Sequence, residues 1–147
     1  MGFLFKKMRT IKNDEIQEKL KPYEQREKIQ PLVMVVTIIS REQSRYYLDA
    51  YQELGASLSL VFYSYSMPPE EYRNILGSDS TKKEIILTLV RGDLLNQVMD
   101  VAKERFKISR ASKGICFACP IDSVSGIATY KFLTDQNREL REKNYGK

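Results

Sequence analysis

Apolar residues recur along the chain with two alternating periods. Leu32-Val33-Met34-Val35-Val36-Thr37-Ile38-Ile39 is an unbroken, largely β-branched run entered through Pro31 and bounded by polar residues. Such a run is too short for a free-standing helix and predicts a central strand buried on both faces. Ser40 and Gln43 then form an S-x-x-Q capping box, which predicts that their side chains satisfy the free N–H groups at a helix start. Tyr47, Leu48, Tyr51 and Leu54 follow at helical spacing, and Gly55 stands where a left-handed C-terminal cap belongs.

Leu58 to Tyr65 alternates serines with Leu, Val and aromatic residues, the pattern of a strand with one drier face. Met67-Pro68-Pro69 ends it, and Glu70 to Leu76 followed by Gly77 predicts a short helix with acids in its first turn. Glu84-Ile85-Ile86-Leu87-Thr88-Leu89-Val90 is a second core strand. Gly92-Asp93 opens a helix whose Leu94, Leu95, Val98, Met99, Ala102 and Phe106 make one stripe, read as core rather than as a cofactor box. After the basic, serine-containing link from Lys107 to Lys113, Gly114 to Ile121 supplies the last strand, closed by Asp122-Ser123-Val124-Ser125-Gly126.

The order βαββαβ predicts an α+β, ferredoxin-like domain over residues 32–126. Both helix stripes pack on one face of an antiparallel four-stranded sheet of order 4-1-3-2. Strands this apolar on both faces predict that the other face is covered by a second subunit. Charged extensions flank the domain. In 1–31, Ile11, Ile16 and Leu20 fall at helical intervals, and Asn13 and Asp14 suit the cap of a helix that runs to the Lys21-Pro22 break; in 127–147, Tyr130, Leu133 and Leu140 suggest a helix from 127 to 143.

Charge narrows the function. The net charge of +5 divides into eight Lys/Arg against five Asp/Glu in residues 1–32, eleven against eleven in 33–126, and five against three in 127–147. A neutral centre with weakly basic ends argues against a nucleic-acid groove, which needs clustered cations. Histidine is absent, which removes the commonest general base and metal ligand together. Cys116 and Cys119 are spaced C-x-x-C, but in an apolar strand rather than at the turn and helix start a redox pair needs, so they read as buried thiols. No stretch approaches the length that spans a bilayer, and Met1 to Phe5 is too short for a signal-peptide core, which points to a soluble, cytoplasmic protein. Phe3, Leu4 and Phe5 ahead of Lys6 and Lys7 read as a frayed terminus before a weak membrane or partner contact.

Three segments, 83–90, 93–98 and Lys113-Gly114-Ile115-Cys116-Phe117-Ala118-Cys119-Pro120-Ile121-Asp122, together resemble the PII signal-transduction family, and most of all its divergent PII-like, PII/CutA-type members. The resemblance spans residues 33 to about 126, with Gly55-Ala56 where that family turns from first helix to second strand. It implies a regulatory protein, not an enzyme: a homotrimer in the setting of nitrogen regulation, with a small effector such as an adenine nucleotide held between subunits and no cofactor required. Such a protein signals to a target such as a transporter, enzyme or regulator through the loop after the second strand, here residues 65–83, with Tyr65, Tyr72 and Arg73 as candidate contacts. The phosphate-binding turn maps to Arg110, Ser112, Lys113 and Gly114, where backbone N–H groups, glycine and a cation suit an anion. Ile115 stands where the family has a lysine, and Val124 to Gly126 where it has arginines, which leaves ATP, another nucleotide, another anion and no ligand all open. Two other classes compete. A small ferredoxin-like enzyme wants an apolar pocket with an acid or base inside it. An RNA-binding module wants stacking aromatics on its third strand, and 84–90 has none.

Overall fold

The computed structural model describes residues 29–72 and 81–134. Along these run β1 (Leu32–Ser40), α1 (Ser44–Glu53), β2 (Leu58–Tyr65), a 3-10 turn at Glu70–Tyr72, β3 (Lys82–Arg91), α2 (Leu95–Ile108) entered by a 3-10 turn at Gly92–Leu94, β4 (Ile115–Ile121) and α3 (Ile127–Leu133). The four strands form one antiparallel sheet in the order β2-β3-β1-β4, as the ferredoxin-like topology requires. The helix predicted from Asn13 to Lys21, the Met1–Phe5 contact, residues 135–143 of the helix predicted from 127 to 143, and residues 73–76 of the helix predicted at 70–76 lie outside the described residues.

The two central strands are the two continuous apolar runs, because only a strand flanked on both edges and both faces can bury every side chain. Val33, Val35, Ile39, Ile86 and Val90 point to the helices and meet Tyr47 and Tyr51 of α1 and Val98 and Ala102 of α2. Aromatic rings tie the two helices together. Tyr47 lies 6.0 Å from Tyr51 and 6.4 Å from Phe106 of α2, centroid to centroid. Gly55 ends α1 in the left-handed region, at φ 98°, where glycine carries no Cβ penalty.

On the opposite face Leu60, Phe62 and Phe117 are 46, 48 and 43% exposed. The drier side of β2 is thus the outward one: Val61 packs on the core and Ser59 meets Thr88, while Leu60 and Phe62 face away from the helices. Part of this face is covered by the chain itself. At the end of the sheet, Leu32 and Ile121 share a recess with Ile127 and Tyr130 of α3. Ser57 Oγ donates to the carbonyl of Leu133 at 2.6 Å, and the Tyr130 hydroxyl donates to the carbonyl of Gln30, which together fasten α3 there.

The capping box expected at Ser40 and Gln43 does not form. Ser40 is the last residue of β1, within 3.3 Å of Lys83 Nζ, and Gln43 makes no cap hydrogen bond. The cap comes instead from Glu84, through space.

Candidate functional site

Three segments meet at the end of the sheet where β1 finishes: the turn Arg41–Gln43, the stem of the β2–β3 connection, and the loop 109–114 before β4. The stem continues the ladder, with Tyr65 opposite Lys82, Ser64 opposite Lys83 and Tyr63 opposite Glu84, and the Ser66 N–H donates to the Thr81 carbonyl at 2.7 Å. Glu84 is buried on the helix side of β3. Its two carboxylate oxygens accept from the Glu42 N–H at 3.0 Å and the Ser44 N–H at 2.9 Å. A carboxylate at this helix start satisfies two free donors and lies at the positive end of the α1 dipole. Glu42 itself has φ 71°, the left-handed region that a residue with a Cβ enters at a cost.

The predicted anion loop is one contiguous, mostly exposed turn. Arg110 and Lys113 are exposed cations, and Ser112 is buried. Its donors are turned inward to an extent the sequence does not reveal. The Ser112 N–H bonds the Ser109 carbonyl and hydroxyl, both at 3.2 Å, and the Lys113 N–H bonds the Arg110 carbonyl at 3.3 Å. The Ser109 and Ser112 hydroxyls lie 2.8 Å apart, so Ser112 serves first as a brace that closes the end of α2. Gly114 is needed for a tertiary reason. A Cβ there would stand 2.3 Å from the Ile38 carbonyl oxygen and 3.1 Å from the Phe106 ring. The loop is joined to the Arg41–Gln43 turn by Gln43 Nε2, which donates to the Ala111 carbonyl at 2.8 Å.

On the connection itself, Tyr65 and Tyr72 are 71 and 53% exposed, while Arg73 lies outside the described residues. The two cysteines are three apart on β4 and so occupy opposite faces of the sheet, both as free thiols. Cys116 is on the helix side, 3.6 Å from Met99 Sδ, and burial pushes its thiol pKa up, away from nucleophilic use. Glu84 and the Gln43–Ala111 contact are absent from the residues singled out by sequence; the one visible signal is a carboxylate inside the apolar strand 82–91.

Among solved structures, the chain is similar to B. subtilis GlnK in its ATP complex, with 16% identity and a TM-score of 0.53 over 67% of this chain and 91% of that one. It is similar to CPII of Thiomonas intermedia K12, a nitrogen regulatory PII-like protein bound to ADP, AMP and bicarbonate, with 17% identity and a TM-score of 0.50 over 68% of this chain and 100% of the other. The chain has the PII-like fold. CutA1 from Oryza sativa shares it, with 13% identity and a TM-score of 0.50 over 71% and 92% of the two chains. No family model and no curated protein matches the sequence. The likeness expected from the segments around 83–98 and 113–122 is thus borne out at the level of fold. Among the described residues, no helix is long and apolar enough to cross a membrane.

Proposed function

We propose that the protein is a PII-like signal-transduction regulator, a homotrimer that takes an adenine nucleotide in the clefts between subunits and reports its presence to a target protein. Residues 32–126 form the regulatory domain in this proposal, with 1–31 and 127–147 as extensions. Arg110 and Lys113 supply the positive charge for phosphates, Ser112 braces the turn that carries them, and Gly114 lets that turn lie against β1. The connection 65–83, through Tyr65, Tyr72 and Arg73, touches the target.

The observation that supports it is the joining, on a PII-like fold, of an exposed two-cation loop with an exposed, tyrosine-bearing connection at the same end of the sheet. Leu60, Phe62 and Phe117 on the outward face favour burial against sister copies, since exposed aromatic and aliphatic patches mark association surfaces. The deciding experiment is native mass by light scattering, followed by thermal melts with ATP, ADP, AMP and cyclic nucleotides. A mass three times the 17.1 kDa chain is expected, together with a melting point raised by one adenine nucleotide. A ligand at a hundred times its Kd stabilises by about 2.7 kcal/mol, a shift of several degrees in a domain this size. A monomer indifferent to all of these nucleotides overturns the proposal.

A further inference from the structure

The turn Arg41-Glu42-Gln43 is held from three directions by three different elements. From β2, the Tyr63 ring lies beneath the Arg41 guanidinium, 4.7 Å from its carbon to the ring centroid. From β3, Glu84 grips the N–H groups on either side of Gln43. From the loop before β4, the Ala111 carbonyl accepts from Gln43 Nε2. At its centre Glu42, at φ 71°, occupies a backbone conformation that a residue with a Cβ enters only at a cost, and such a conformation persists only where its surroundings hold it. Glu84 supplies that hold, because the N–H groups it binds belong to Glu42 itself and to the second residue after it.

We infer that this turn is the mechanical link between the stem of the β2–β3 connection and the loop Arg110–Gly114, and that Glu84 is the positioning residue on which the link hangs. Tyr63 and Glu84 are directly paired across the stem, two positions from Tyr65 and Lys82. A twist of the stem therefore moves the carboxylate and the ring together. The turn then has two arrangements: left-handed at Glu42 and gripped by Glu84, or relaxed and released. In the second, Gln43 no longer aims its amide at Ala111, and the turn that carries Arg110 and Lys113 loses this contact with the β1–α1 turn. Coupling of this kind acts equally in both directions, so whatever orders the loop also favours the gripped stem. That this link carries a nucleotide signal rests on the function proposed above; that it exists rests on the contacts alone.

Glu84→Gln is the informative variant, because it keeps the volume and one acceptor oxygen but turns an NH2 toward the second N–H, where donor meets donor. Hydrogen exchange on the full-length protein without ligand should show the Glu42 and Ser44 amides exchanging at least tenfold faster. The Ser112 and Lys113 amides should accelerate in parallel, with those of Val98 and Ala102 in mid-α2 unchanged. Gln43→Ala should free Ser112 and Lys113 while leaving Glu42 and Ser44 protected, and this milder variant tests the link from the other side should Glu84→Gln fold poorly. Faster exchange at 42 and 44 with no change at 112 and 113 in Glu84→Gln, or an unmoved loop in Gln43→Ala, overturns the link. Titration with ADP is a separate arm. Weaker binding by at least fivefold in Glu84→Gln supports a relay, and equal binding overturns it. Failure of the wild-type protein to bind any of ATP, ADP, AMP and the cyclic nucleotides defeats the nucleotide proposal, and the exchange rates still decide the link.

Discussion

The Tyr51 hydroxyl and Thr37 Oγ1 lie 2.9 Å apart in the centre of the core, joining α1 to β1 through a bond wholly shielded from water. One turn earlier on the same helix, the equally buried hydroxyl of Tyr47 has no hydrogen-bond partner among the described residues. Two tyrosines four residues apart thus carry opposite balances between the cost of desolvating a hydroxyl and the return from bonding it.

Opposite outcomes are expected for the same substitution. Tyr51→Phe removes a made bond and leaves Thr37 with the Cys116 thiol at 3.5 Å, so it should cost about 1 kcal/mol. Tyr47→Phe removes an unpaired buried hydroxyl and should be neutral or stabilising by up to about 1 kcal/mol. Urea unfolding with unchanged slopes would establish both values. Equal destabilisation by the two changes would show that Tyr47 has an unseen partner.

Alkaline stability follows from the same pair. Burial raises both phenol pKa values well above the usual range. The unfolded chain therefore ionises first, and the stability these groups contribute is full below about pH 10 and lost as pH rises above it. Cys116, also raised by burial, begins the decline from about pH 8.5. Lys83 acts in the contrary sense: desolvation lowers its pKa, so its penalty is relieved as pH climbs toward about 10.4. Above that point each of the two phenols contributes a slope of up to about 1.36 kcal/mol per pH unit. Replacing both tyrosines by Phe should flatten this decline, measured by urea titrations between pH 10.5 and 12. A slope unchanged in the double variant would remove the tyrosines as its source.

Gly114→Ala separates two roles for that glycine. The 2.3 Å approach of a new Cβ to the Ile38 carbonyl is a clash with backbone, which no rotamer relieves. A loss of about 3 kcal/mol is expected in the absence of any ligand, from overpacking where loop and strand meet. An unliganded melting point equal to wild type would mean that Gly114 is present for an anion alone.

How much of this is legible in the sequence depends on whether the cause is local. The central strands are legible because their residues are buried on both faces and so form unbroken apolar runs; the end of α1 is legible because only glycine sits easily at Gly55. With those in place, the strand order follows from chain connectivity. The start of α1 is not legible, because its cap is a carboxylate forty residues away in sequence, and the S-x-x-Q pattern that imitates a local cap has its serine inside β1. The candidate loop is legible as a position but not as a geometry. Nothing in Arg110 to Gly114 discloses that two of its amides are spent internally or that its glycine answers to Ile38.

Arg110 and Lys113 test the proposed site most directly, because both are exposed and neither belongs to the core. The Lys113 N–H bond is made by backbone, so replacing side chains leaves the turn closed. Changing both residues to Ala should therefore change the unliganded stability by no more than surface substitutions do, within about 0.5 kcal/mol each. What should vanish is the stabilisation by an anionic nucleotide, together with its weakening by salt, since exposed cations act on phosphate through a screened field. Thermal melts of wild type and double variant, with and without ADP at low and moderate salt, separate the cases. If ADP stabilises both proteins equally, the loop is a solvated basic turn, and the anion binds elsewhere.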